Sequence, residues 1–387
     1  MSAVSTATAG AAGGTVVVMA SASVNSSVVS NPPMIQGAQA AVSYLNAHGG
    51  LHGHHIKLIV CDNKNTPNLE VACARQAVAT KVVALVGANF ETNATSVVSV
   101  LTPAGIPVVS PIDGNPAEFK APTYFNLWSQ VGTKVAIGLA MGQKKCKSGA
   151  GVALNVPIAN LGVTFMKQGQ ETAGVKTTTT VEVPIQTTDF SPTVEQLSSL
   201  GVTCSFPLIV ETQYVPYFQA LQSAGSKVKN FIPAVGFNTG SLKTIGAQGA
   251  SGTIFTSPYL TPSASSSTPQ VRTFMQGMHK YQPSATPDSE AENSWVAVMI
   301  LNQATKGLNK WTAASVLGAL RKDAHVNVGF GIPTLNFTKK NPTPKVASIY
   351  DTAYHLHVVK GITQTDTNTI VTVESTLKKV TFTTKTS

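Results

Sequence analysis

The chain has 387 residues, 43% of them hydrophobic and only 11% charged, a profile that excludes a disordered chain and fits about two domains. Its formal net charge of +10 reflects few acids rather than many bases. The lysines are scattered and the densest run, Lys144-Lys145-Cys146-Lys147, carries no aromatic residues, so no nucleic-acid interface is expected, and no apolar run reaches the ~18 residues that a membrane crossing needs.

Residues 1–14 are rich in alanine, serine, threonine and glycine, without the basic and long apolar regions of a signal peptide, and read as a flexible leader. The continuous β-branched run TVVVMASA, residues 15–22, suits a buried parallel strand. Pro32-Pro33 opens a helical pattern that Gly49-Gly50 stops, and Ile56 to Val60 is the next strand. A helix from Thr66-Pro67 to about Ala79, a strand Val82–Val86, a helix Thr92–Leu101 and a strand Ile106–Ser110 follow. The alternation then restarts. Strands are expected at Gly151–Val156, Thr178–Val183, Pro207–Val210 and Phe231–Val235, with helices at Leu161–Ala173, Ser191–Leu200 and Pro216–Ala224 between them. Val60 and Val183, Gly87 and Glu211, and Gly105 and Gly225 lie 120–124 residues apart, so two α/β units of one plan stand in tandem. Beyond them come helical patterns at Val271–Tyr281, Glu290–Gly307 and Trp311–Arg321. Period-2 segments then appear near Thr334–Phe337, Ala347–Tyr350, His355–Val359 and Ile370–Phe382. Extra helices followed by extra strands fit additions to each unit, with several chain crossings between them.

The segment HGGLHGHHIKLIVCDN places His48, His52, His54 and His55 close together, but its i, i+4 pair, His48 and His52, straddles the Gly49-Gly50 helix stop instead of lying on one helix, where ring nitrogens would converge on a metal. His48 falls at a helix C-terminus, where a cation complements the dipole. His54 and His55 point to opposite faces if extended. The segment therefore reads as a helix–turn–strand connection, and no metal or cofactor is expected. The four cysteines lack C-x-x-C spacing. Their even number, each pair within its own segment, permits Cys61–Cys73 and Cys146–Cys204 bridges, which would imply an oxidising compartment.

Around the histidines, GAQAAVSYLNAHGGLHGHHIKLIVCDN resembles the corresponding segment of type I periplasmic solute-binding proteins of ABC importers, the branched-chain amino-acid-binding family. Gly37, Ala38, Ala41, Asn46, Gly49, Gly50, Gly53 and Asp62 fall on its pattern. The likeness continues through ARQAVATKVVALVG, LTPAGIPVVSP, Asn115-Pro116, TDFSPTVEQL and VGFGIPTLNF, covering roughly residues 15–360. It implies an α/β fold of two doubly wound parallel-sheet lobes joined by three hinge crossovers. Residues 15–130 plus 258–325 would form lobe one, and residues 131–257 plus 326–387 lobe two.

In such sheets ligands bind outside the carboxyl ends of the strands. In lobe one that selects Asn89, Phe90, Glu91, Thr92 and Asn93, where the family holds a ligand carboxylate on hydroxyls and main-chain N–H groups, and Ile112, Asp113 and Gly114 in the next loop. Thr92 and Asn93 equally suit helix capping. In lobe two it selects Asn160, Leu161, Glu211, Gln213, Tyr214, Phe237 and Asn238. Leu161 stands where the family has a ligand-packing tyrosine, Ser30-Asn31 replaces a tyrosine-glycine pair, and Gly236-Phe237-Asn238 lacks the glutamate that pairs with the ligand ammonium. A desolvated ammonium without a partner costs several kcal/mol. Either Asp113, Glu91 or Glu211 supplies that charge from another wall, or the ligand is a small carboxylate, an amide or an aromatic acid.

No G-x-S-x-G, G-x-G-x-x-G or P-loop follows a strand, so an enzyme is not expected. The resemblance implies an extracytoplasmic, monomeric protein, lipid-anchored or free, that captures a small polar solute by hinge closure and presents it to ABC permease subunits. The alternative is a cytosolic ligand-sensing regulator of the same fold, which oxidised cysteine pairs would disfavour.

Overall fold

The computed structural model of the protein describes residues 13–26, 29–234, 239–338, 352–360, 363–373 and 382–384. Lobe one begins with β1 (Thr15–Ala22), α1 (Pro32–Ala47), β2 (His55–Asp62), α2 (Pro67–Ala79), β3 (Ala84–Ala88) and α3 (Ala94–Leu101). Short pieces follow: β4 (Val108–Val109), β5 (Ile112–Asp113), α4 (Pro116–Lys120), β6 (Tyr124–Phe125) and β7 (Trp128–Ser129). The first sheet is parallel, with strand order β2-β1-β3-β4-β6. Strands this apolar must be covered on both faces. Met34, Ile35, Ala38 and Val42 of α1 belong to one core cluster, and Ala74 and Ala77 of α2 with Val97 and Leu101 of α3 to another.

The chain then crosses into α5 (Gln130–Gln143), β8 (Ser148–Leu154), α6 (Pro157–Thr172), β9 (Lys176–Thr177), β10 (Val181–Val183), α7 (Ser191–Ser199) and β11 (Cys204–Leu208). The run continues with α8 (Glu211–Ser223), β12 (Lys229–Pro233), α9 (Thr239–Gly249) and β13 (Ile254–Ser257). A second crossing leads to α10 (Pro269–Tyr281), α11 (Ser289–Ala304) and α12 (Ala313–Lys322). Of these, α10 and α11 pack on α1. A third returns the chain to β14 (Thr352–Lys360), β15 (Thr363–Val373) and β16 (Phe382–Thr384). The second sheet runs β10-β8-β11-β12-β13 in parallel and is extended by β14, β15 and β16, all antiparallel. The fold is thus α/β with two parallel sheets, the second carrying an antiparallel edge.

Several elements depart from the sequence expectations. Of the strand expected at Thr178–Val183 only Val181–Val183 forms, as β10; β9 precedes it, and between the two the Thr178 hydroxyl donates to the Gly149 carbonyl at 3.0 Å. The helix expected to open at Pro216 starts at Glu211 and carries Pro216 in its interior. Thr334–Phe337 forms no strand; Leu335 makes only an isolated bridge to Val326. Ala347–Tyr350 lies outside the described residues.

The main addition is α5, which packs against α6 more closely than ordinary side chains allow. A Cβ at Gly138 would collide with the Met166 carbonyl and one at Gly169 with the Val135 carbonyl. The glycines that weaken α5 as an isolated helix are what let it dock.

Both expected disulfides are present. Cys61–Cys73 ties the edge strand β2 to α2, and Cys146–Cys204 ties the turn after α5 to β11. The histidines satisfy main-chain carbonyls: His48 Nδ1 approaches Tyr44 O at 2.7 Å and His52 Nε2 approaches Asn302 O at 2.7 Å, while the His54 ring lies against Trp311. Among the described residues no three metal-ligating side chains come together.

Candidate functional site

A cavity of about 410 Å³ lies between the lobes where the strands end. Lobe one contributes Val29, Ser30 and Asn31 after β1, Asn65 after β2, Glu91 and Thr92 after β3, and Trp128 of β7. Gln130, Thr133 and Lys134, from the first turns of α5 just past the first crossing, add a polar floor. The far wall is aliphatic: Leu154, Val156 and Ala159 at the end of β8 and the start of α6, Ile185 after β10, Leu208, Ile209 and Val210 after β11, and Pro233 of β12. Glu211 and Tyr214, in the first turn of α8, complete it. A polar side facing an apolar side is the wall chemistry of an amphiphilic small molecule.

The polar groups form a row. Gln130 Nε2 donates to Glu91 Oε1 at 3.4 Å, Asn89 Nδ2 donates to the same oxygen at 3.4 Å, and Lys134 Nζ donates to Gln130 Oε1 at 3.1 Å. The surrounding protein pushes the Glu91 carboxyl up, against the hydrogen bonds from Asn89 and Gln130 and the charge of Lys134. The same desolvation brings the Lys134 ammonium down to about 8, against the pull of Glu91. Glu91 is nevertheless exposed to the cleft space and Lys134 half-buried. Water in an empty cleft therefore screens both effects, which act in full only when a ligand expels it.

Of the residues selected from the sequence, Glu91, Thr92, Glu211 and Tyr214 line this cavity. Asn89 sits behind it, donating to Ile112 O at 3.1 Å, and Phe90 and Ile112 are core. Asn93 stands at the start of α3, outside the cavity lining, and Gly114 lies against the Gln130 side chain. Asn160 faces Glu182 at 3.5 Å, and Leu161 is 44% exposed, outside the lining. Gln213 is buried and spends its amide on Pro184 O, Ile185 O and Thr187 O, shaping the loop that presents Ile185. Tyr214 OH donates to Pro207 O at 3.2 Å, leaving its ring to the wall. Phe237, Asn238 and the side chain of Asp113 lie outside the described residues.

The main-chain N–H groups of the loop after β3 were expected to meet a ligand carboxylate. They are engaged otherwise: the amides of Glu91 and Thr92 donate to Glu70 Oε1 at 2.9 Å each, and that of Asn93 to Glu70 Oε2 at 2.6 Å. Glu70, in the first turn of α2 and fully buried, fills the anion position with the protein's own carboxylate.

Two further acids are fully buried. Burial pushes Glu118 up to about 8, although its carboxylate accepts from the Gly114 and Asn115 amides, and pushes Glu292 well above the usual carboxylate range. Both Glu292 oxygens lack a hydrogen-bond partner among the described residues. Groups whose carboxyls are raised on folding hold protons that the unfolded chain has released. For Glu118 that stabilisation is complete below about 4.5 and is lost as pH rises towards about 8. The melting temperature is thus expected to be higher at pH 5.5 than at pH 8.5, and Glu118→Gln should flatten that slope. A melting temperature that stays constant or climbs over this range would contradict the assignment.

The family model described as periplasmic binding protein matches residues 14–347. No curated protein sequence matches the chain significantly. Among solved structures, an extracellular ligand-binding receptor from Verminephrobacter eiseniae is similar at a TM-score of 0.74 and 17% identity, covering 89% of this chain and 97% of its own. A branched-chain amino acid transporter substrate-binding protein from Streptococcus pneumoniae in complex with isoleucine gives 0.71 at 16% identity, covering 91% and 99%. An ABC transporter solute-binding protein from R. palustris in complex with benzoate gives 0.72 at 14% identity, covering 92% and 95%. With most of its length matched by the family model and its strand ends gathered around one cleft, the chain belongs to the periplasmic binding protein family.

Proposed function

We propose that the protein is the extracytoplasmic solute-binding subunit of an ABC importer, and that its ligand is a small carboxylate with an apolar body. The cleft carries this reading: a cavity of about 410 Å³ with one cation on its floor and an aliphatic far wall matches an amphiphilic acid of amino-acid or benzoate size. Hinge closure would bury the apolar body against Leu154, Ile185 and Leu208 and give permease subunits a closed form to recognise. The protein would do no covalent chemistry and act as a monomer. The two disulfides favour an oxidising compartment over a cytosolic sensor.

A second reading, an apolar α-amino acid, is favoured by one observation. Glu91 opens into the cleft and Glu211 lines it, so two acids stand where an ammonium would need a partner. The structural neighbours bound to isoleucine and to benzoate represent the two readings.

Ligand pairs that differ only by the ammonium separate them: leucine against 4-methylpentanoate, and phenylalanine against 3-phenylpropanoate. A ligand at about 100 times its Kd adds about 2.7 kcal/mol to stability, readable as a rise in melting temperature. The deaminated member of each pair is expected to give the larger rise. A larger rise with leucine or phenylalanine selects the second reading, and no rise with any of the four rejects a small carboxylate ligand.

A further inference from the structure

We propose that Lys134 anchors the ligand's carboxylate, in place of the main-chain amides after β3 that Glu70 has taken. The inference rests on the solute-binding reading above and names the residue that decides its selectivity. A helix start with three convergent N–H groups is an anion site, but here Glu70 satisfies all three at 2.6–2.9 Å. A ligand carboxylate brought there would find no free donor and would face the charge of Glu70.

Lys134 is placed to replace that site. Its stem lies against α6, where a Cβ at Gly162 would stand 3.1 Å from Cε and 3.3 Å from Cδ, so the absence of a side chain at Gly162 leaves the channel the stem occupies. Its Nζ gives one hydrogen bond to Gln130 Oε1, and no other hydrogen bond or ion pair engages it among the described residues. An ammonium has three donors. At least one is left for the cleft, beside the aliphatic wall that would take the rest of the ligand. Burial around Lys134 points the same way: as a ligand expels water from the cleft, only an anionic head would offset the growing cost of desolvating the ammonium.

The test is calorimetric titration of the full chain with acid–amide pairs of one carbon skeleton, benzoate against benzamide and 4-methylpentanoate against 4-methylpentanamide. Wild type is expected to prefer the acid about tenfold or more, the range of a charge-assisted hydrogen bond. Lys134→Met keeps the length and apolar character of the stem and should lose that preference. Lys134→Arg should keep part of it. The unliganded melting temperature of Lys134→Met, expected close to that of wild type because water reaches the half-buried ammonium in the unliganded cleft, shows that the variant folds. If wild type prefers the acid and Lys134→Met prefers it equally, the anchor assignment fails while the solute-binding reading stands. If wild type binds neither member of either pair, the small-carboxylate reading fails and the anchor assignment with it.

Discussion

Glu70→Leu is expected to lower the stability of the unliganded protein by about 4 kcal/mol. Three main-chain N–H groups converge on this one carboxylate, and hydrogen bonds to a charged acceptor contribute about 1.5–3 kcal/mol each. The total is set below the plain sum because the loop borders the open cleft, where water reaches part of it. Glu70→Gln keeps one acceptor oxygen and should lose about half as much. Urea titration reads both as shifts in midpoint at constant slope. A loss under ~1 kcal/mol for Glu70→Leu would mean that the loop amides find other acceptors and that Glu70 does not hold Glu91 and Thr92 in the cleft wall.

Removing the Cys146–Cys204 bridge is expected to cost about 4 kcal/mol, and removing Cys61–Cys73 about 3 kcal/mol. The first closes a loop of 58 residues and the second one of 12, and the chain entropy withheld from the unfolded state grows with loop length. The paired serine variants, measured in the same urea series, should fall in that order. The position of each bridge adds to the argument. Cys204 lies in the middle of the second sheet and is fully buried, so its loss also disturbs packing under α5, whereas Cys61 sits on the sheet edge, half-buried. The reverse order would show that strain or residual unfolded structure outweighs loop closure here.

The two parallel sheets and their strand-end loops were legible because apolar β-branched runs alternate with helical periods, and parallel sheets put ligands at one end of their strands. That reasoning reached Glu91, Thr92, Glu211 and Tyr214 directly. It did not reach α5, whose segment QVGTKVAIGLAMGQ has no polar face to give a helical period: residues 135–141 are all buried, and three glycines lower its propensity. Its glycines make sense only once the carbonyls of α6 are beside them, a tertiary fact, and with α5 unseen Gln130, Thr133 and Lys134 were unseen too. Glu70 was hidden differently. An acid in the first turn of a helix is ordinary complement to the dipole, and only the packing of α2 beside the loop after β3 shows where its oxygens point. Leu161 was placed by alignment to a family pattern, and the helix turns it outward while its neighbour Gly162 makes room for a lysine.

The position of α5 has a further consequence for the hinge closure proposed above. Gln130 and Lys134 follow directly on the crossing at β7, close to the axis about which the lobes would swing, whereas Ile185, Leu208 and Pro233 stand out along the wall at other strand ends. A group near a pivot travels little as the angle changes, and one far from it travels far. On the proposed function, capture would divide into two steps: an acidic head would dock on a nearly stationary point, and the tail would set how far the swinging wall could come down. Competitors sharing the head group would occupy the cleft whatever their tails, but only tails of the right length would let it shut.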